Sequence, residues 1–221
     1  DKDSSQEQEI SPVAEEESQL KVRLAEGVFT QEVTVLSQGD RVSSFADLKA
    51  KINSDNKEVT LTLTNDISDA EPLTISEKNV TLNLNGYSIT NDSSKFDKEK
   101  DNIFSVEGKL TIVDQKTGDS NTVGKILGDG VNNAISVESN GMLDLQGGII
   151  TTRNSNRAIF ISENASFYMR DGVISGNKNQ VAKGGGVFVN GGTMEMTGGA
   201  ILDNAAINTV STWGTITVAQ G

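Results

Sequence analysis

Four side chains near the middle of the 221-residue chain stand where they can act together: Asp144, Tyr168, Arg170 and Glu195. They lie in the alternating segments Leu143-Asp-Leu145, Phe167-Tyr-Met-Arg170 and Met194-Glu-Met196. Alternation with period two buries one face of a strand and leaves the other to solvent. The apolar neighbours go inward, so the four polar residues share an outward face, flanked by Gln146 and Thr197. An exposed tyrosine ring among planar polar groups can stack on a sugar ring and hydrogen-bond its hydroxyls. Arg153 and Arg157 follow on the next turn and are expected to add positive charge. The candidate ligand-binding residues are therefore Tyr168, Arg170, Arg153, Arg157, Asp144 and Glu195. The plain alternative is an ordinary solvated sheet face.

The same acids invite a catalytic reading, which the sequence supports poorly. Asp144 and Glu195 sit in equivalent positions two repeats apart, about 9–10 Å from each other with Tyr168 between. That is near the upper separation of an inverting carboxylate pair. Such chemistry needs one acid held in a cleft, and no neighbouring residues suggest one. The chain has no His and no Cys, so it lacks the commonest general base and any thiolate. Asp114 with Asp119, or Asp92 with Asp97 and Asp101, can bring oxygens together for calcium, but solvated loop charges account for them more simply. Gly124–Gly128 and Gly184–Gly186 lack the spacing of a phosphate loop and fall at expected turns. No catalytic residue, metal site or cofactor is assigned.

What must position the outward patch is a repeat. Leu61-Thr-Leu63 recurs as Leu82-Asn-Leu84, Leu110-Thr-Ile112, Leu143-Asp-Leu145, Phe167-Tyr-Met169 and Met194-Glu-Met196, at steps of 21, 28, 33, 24 and 27 residues. A second series runs Leu73-Thr-Ile75, Phe104-Ser-Val106, Ile135-Ser-Val137, Ile159-Phe-Ile161, Val187-Phe-Val189 and Ile216-Thr-Val218. A third short strand follows the first at Ser88–Thr90, Ile149–Thr151, Val173–Ser175 and Ala200–Leu202. Strands that keep one order at a loose common period indicate a solenoid. The steps vary because hydrophilic loops vary, at 91–102, 115–123 and 177–183. Three strands per coil and about six coils predict a rod of roughly 29 Å at about 4.8 Å per coil. Asn177 and Asn204 each stand three residues after a ladder isoleucine, Ile174 and Ile201.

Before the repeats lie two other regions. Residues 1–19 are acidic and poor in large apolar groups, so they are expected to be a disordered leader. They carry seven acids against Lys2 alone, about half of the net charge of -12. Residues 20–58 hold two expected short strands within 20–38 and the helix candidate Ser44–Asn53. Ser44 can cap that helix, and Phe45, Leu48 and Ile52 share one face. Its natural place is over the open end of the first coil. The β-helix would then occupy 59–221 and continue beyond Gly221, because the last strand stops without a polar cap.

The segment Gly184-Gly-Gly-Val-Phe-Val-Asn-Gly-Gly-Thr-Met-Glu-Met-Thr-Gly-Gly-Ala-Ile201 resembles the right-handed parallel β-helix of the pectate-lyase-like superfamily. More closely, it resembles the β-helical repeats of bacterial cell-surface, adhesin-like proteins. The capped start, Phe45-Ala-Asp-Leu48 followed by Val59–Leu63 and Val80–Gly86, is similar to the first coils of such proteins. The resemblance covers about residues 42–221. It implies an all-β, right-handed parallel β-helix with a short N-terminal capping helix. In that family the corner Asn often takes a left-handed turn, and stacked Asn side chains can hydrogen-bond along the axis, roles the resemblance implies for Asn177 and Asn204.

The expectation for function is a non-enzymatic β-solenoid region of a secreted or cell-surface bacterial protein. It would act as an adhesin-like surface for glycans or host extracellular proteins, or as a rigid spacer. One alternative is a polysaccharide lyase or hydrolase. Another is the non-catalytic N-terminal part of a larger surface enzyme. The acidic balance argues against nucleic acid, no apolar run is long enough to span a membrane, and the chain is expected to be a monomer.

Overall fold

The computed structural model describes residues 39–116, 121–155, 157–179, 184–206 and 213–218. The acidic leader and the two strands expected within 20–38 lie outside the described residues.

In chain order the elements are β1 (Asp40–Val42), α1 (Phe45–Ile52), β2 (Glu58–Leu63), β3 (Ile67–Ala70), β4 (Leu73–Ile75), β5 (Asn79–Asn83) and β6 (Ser88–Asn91). Then come β7 (Asn102–Val106), β8 (Lys109–Val113), β9 (Lys125–Asp129), β10 (Asn133–Val137), β11 (Met142–Arg153) and β12 (Arg157–Ile161). Last are β13 (Ser166–Ser175), β14 (Lys178–Asn179), β15 (Val187–Met196), β16 (Ala200–Leu202), β17 (Ala205–Ala206) and β18 (Trp213–Val218). Every strand pairing among them is parallel, and strands far apart in sequence lie side by side.

Three ladders result. The first is β1–β2–β5–β8–β11–β13–β15–β18. The second is β3–β6–β9, continued by the later halves of β11 and β13 and by β16. The third is β4–β7–β10–β12 with the first half of β15. β11 and β13 pass from the first ladder into the second, and β15 passes from the third into the first. The sheets curl round one continuous apolar core, a solenoid-like all-β fold. Leu61, Leu82, Ile112, Leu145 and Met169 stack inside it from one strand to the next, all fully buried.

Ser44 begins α1 as expected from a cap: its Oγ accepts the Asp47 N–H at 3.2 Å. Phe45, Leu48 and Ile52 are buried in the same core cluster as the strands, and the helix packs against β1, β2 and β3. The edge of β2 is taken by a strand the sequence pattern did not reveal, with Asp40 opposite Leu61 and Val42 opposite Leu63. α1 therefore covers apolar interior while β1 satisfies the edge hydrogen bonds.

Three expectations about the ladders are corrected. Leu82 stands opposite Ile112 rather than Leu110, and Val80 opposite Leu110. A two-residue slip keeps every side chain on its face, so apolar alternation cannot tell the registers apart. Corner hydrogen bonds can. Asn83 Oδ1 accepts the Gln115 N–H, its amide donates to the Gln115 carbonyl, and Asp114 Oδ1 accepts the Gly86 N–H. Second, Ile216 pairs with Met194 and Val218 with Met196, in the first ladder and not the one containing Val187. A short apolar triplet reads the same in any ladder; the path of the chain between decides. Third, Lys125–Asp129 is a strand, and Gly128 lies inside it rather than at a turn. A Cβ on Gly128 would come within 2.7 Å of a methyl of the buried Val131, so glycine within the strand leaves room for that side chain.

Candidate functional site

The outward positions of the first ladder form one column. Thr60 is opposite Thr81, Thr81 opposite Thr111, Thr111 opposite Asp144, Asp144 opposite Tyr168, and Tyr168 opposite Glu195. Inward residues on either side, such as Leu143, Phe167 and Met169, are fully buried and hold each strand's face in place.

Asp144 and Arg170 form the tightest group on this face. The Arg170 Nε donates to Asp144 Oδ1 at 3.1 Å and to Oδ2 at 3.3 Å, and Gln146 Nε2 donates to Oδ2 at 3.0 Å. The Asp144 side chain is only 10% exposed, against 51% for Arg170. The guanidinium carbon sits 5.5 Å from the centre of the Tyr168 ring, within cation–π range. Arg170 is thus pinned by its Nε edge and laid beside the ring. Its terminal nitrogens hydrogen-bond to no described residue. A register shift after Leu145 places Gln146 opposite Asp171, where β13 bends at Gly172 with φ +89. The bend carries the strand into the second ladder directly beyond Arg170. Glu195 lies on the other side of Tyr168 with no ion pair to a described residue. Together these groups can stack on a ring and donate to ring oxygens.

The two other arginines are placed elsewhere. Arg153 ends β11 in the second ladder, opposite Asp129 and exposed. Arg157 begins β12 in the third ladder, opposite Asn133. Their expected contribution to the Tyr168 patch is not met. Sequence proximity to a coil says little here, because the chain passes through two more ladders before it returns. Arg157 instead donates from Nη1 to Asn133 Oδ1 at 3.2 Å and lies over two rings, 5.4 Å from Phe160 and 5.1 Å from Phe188. Those rings are 5.7 Å apart and tilted by 43°. Burial pushes the Arg157 guanidinium below its ordinary pKa. Sequence reasoning missed this cluster. Its signal was present: Phe160 and Phe188 alternate with the inward residues of two strands that pair in register.

Asn177 and Asn204 stack. The Asn177 amide and its backbone N–H both donate to Asn204 Oδ1, at 2.6 and 3.1 Å. Thr152 Oγ1 donates to Asn177 Oδ1 at 2.8 Å, and Asn204 donates to the Ile174 carbonyl at 2.8 Å. Neither asparagine is left-handed. That conformation belongs to the preceding residues, Gly176 at φ +72 and Asp203 at φ +55. The turn residue and the hydrogen-bonding residue are neighbours rather than one and the same.

The loop acids are used locally. Asp114 accepts the N–H groups of Gly86 and Gly124; Asp92 caps the short 3-10 turn Ser93–Lys95; Asp97 pairs with Lys100 at 3.1 Å. Asp119 lies outside the described residues. Among the described residues no three acids gather as a metal cage would require. No described helix is long and apolar enough to cross a membrane.

Comparison with family models, with curated proteins and with solved structures finds no match to this chain.

Proposed function

We infer that this chain is a right-handed parallel β-helix of about six coils, three short strands to each, in a secreted or cell-surface bacterial protein. It serves as an adhesin-like binding surface for glycans or host extracellular proteins. The observation that carries this reading is the Arg170 guanidinium, held by Asp144 beside the Tyr168 ring. A guanidinium pinned through one edge keeps its remaining donors oriented, so little rotamer entropy is lost when a ligand arrives. A parallel solenoid supports such a face well, since each strand is hydrogen-bonded on both sides and cannot shift alone.

The test is binding and product release on one panel of polysaccharides and host glycoproteins, with and without calcium. Binding without cleavage is expected. The variant Tyr168→Ala/Arg170→Ala should lose at least tenfold in affinity while its circular dichroism is unchanged, since both side chains are on the outward face. Cleavage products would replace this reading with a polysaccharide lyase or hydrolase. Neither binding nor cleavage would leave a rigid spacer.

A further inference from the structure

We propose that a second binding subsite lies over β2, β5 and β8, on the same outward face, and that it takes the hydroxyl groups of an extended saccharide chain running along the stacking direction. The inference rests on the glycan reading above and names what the ligand does beyond the Tyr168 patch.

A polar depression of about 200 Å³ opens here. Glu58, Thr60, Asn79, Thr81, Lys109 and Thr111 line it. The three threonines are in register, so these residues repeat at about 4.8 Å, the strand spacing. Thr111 is only 9% exposed, yet its hydroxyl hydrogen-bonds to no described residue. A hydroxyl that lines the depression without a protein partner keeps both its donor and its acceptor capacity for a ligand. Asn79 donates to Glu58 Oε1 at 3.3 Å, which turns the amide oxygen of Asn79 away from that bond and leaves it an acceptor. The Lys109 ammonium is engaged by no described residue. The depression therefore offers hydroxyls that both donate and accept, an amide, one carboxylate and one cation.

That mixture selects among ligands. A phosphate or nucleic-acid chain would meet Glu58 and a net charge of -12 with one lysine to hold it. An added peptide strand needs unpaired backbone, and here the strands are paired on both sides. A lipid tail would bury hydroxyls against hydrocarbon. A saccharide matches hydroxyl for hydroxyl, and one ring with its linkage is about as long as one strand spacing. The next positions after Thr111 in this column are Asp144 and Tyr168. One chain of sugars can then span from Thr60 to Tyr168, roughly 19 Å over four strand spacings.

The probes are two size series of linear oligosaccharides, from disaccharide to decasaccharide. One is a neutral β-linked glucose series and the other contains alternating uronic acid. Titration calorimetry is run on the wild-type chain, on Thr81→Val/Thr111→Val and on Tyr168→Ala/Arg170→Ala. Valine keeps the β-branched shape that strands favour, and a thermal melt verifies folding. In at least one series affinity should rise with length, because a second contact on one chain becomes intramolecular. The valine pair should weaken the long sugars about tenfold, the worth of two ordinary hydrogen bonds, and leave the disaccharide unchanged. The Tyr168/Arg170 variant should weaken both. Length-independent affinity, or long sugars bound equally by the valine pair, would overturn the second subsite and leave the Tyr168 patch standing. No binding of any oligosaccharide by the wild type would overturn the subsite and the glycan reading together.

Discussion

The side-chain amide of Asn177 donates to Oδ1 of Asn204 at 2.6 Å, although 27 residues separate them. Asn177 is fully buried, and the same side chain accepts from Thr152 on the preceding turn. The amide thus links three successive turns of the stack at one corner. Similar clamps occur at Asn83 with Gln115, and at Asn102 with Asn133, whose amide donates at 2.8 Å. Buried polar groups this fully satisfied stabilise one alignment and penalise every other.

Asn177→Ala should therefore destabilise the fold by about 2 kcal/mol, since it leaves the buried Thr152 hydroxyl without its acceptor and removes the side-chain amide's bond to Asn204 Oδ1, which keeps only the backbone N–H of residue 177. Urea denaturation measures this. A loss below about 0.5 kcal/mol would show that the corner relaxes freely and that the clamp contributes little.

The register of β5 against β8 is open to a direct chemical check, because the chain has no cysteine. Thr81→Cys/Thr111→Cys places two thiols on directly opposite residues, where a disulfide can form under mild oxidation. Asn83→Cys/Thr111→Cys, the pair implied by aligning Leu82 with Leu110, should stay reduced. Thiol titration after oxidation distinguishes them; the reverse outcome would restore the alignment read from the repeat alone.

Glu71 accepts from Lys95 at 2.8 Å and from Lys49 at 3.3 Å, tying α1 to the turn after β6. The hydrogen bond from Lys95, then that from Lys49, holds the Glu71 carboxyl below the usual carboxylate range. A depressed folded pKa means stabilisation is present above the unfolded value and lost as pH falls through the folded one. Acid, below about pH 4, should then loosen α1. Lys95 shifts upward through its bond to Glu71, so its share is present at neutral pH and lost only as strong alkali deprotonates it. These groups are exposed, so the effect is small and salt should suppress it. Amide exchange in α1 should rise more between pH 6 and about pH 3.5 in the wild type than in Glu71→Gln. Equal changes in both would remove this contact as the cause.

Thr111→Val should change the stability of the unliganded chain by less than about 0.5 kcal/mol while it weakens saccharide binding, because the hydroxyl it removes faces the depression and bonds to no described residue. Thermal denaturation reads this. A lower melting temperature would mean that the hydroxyl has a structural partner and that the depression is held together by it.

What the sequence by itself determined is the architecture. Period-two apolar triplets recurring in a constant order can bury their faces only by stacking, so the parallel ladders followed from composition and spacing. The capped helix was equally legible, because Ser44, Asp47 and the face Phe45, Leu48, Ile52 are local features that need no distant contact. Tertiary structure alone decided the rest. Alternation cannot distinguish registers two residues apart, so Val80 met Leu110 for reasons lying in the corner hydrogen bonds of Asn83 and Asp114. It cannot say which ladder a triplet joins, so Ile216 joined Met194. Outward residues show no periodic burial signal at all. Which of them meet depends on how far the chain travels before its coil returns, and that separated Arg153 and Arg157 from Tyr168 while bringing Arg170 onto Asp144 across 26 residues.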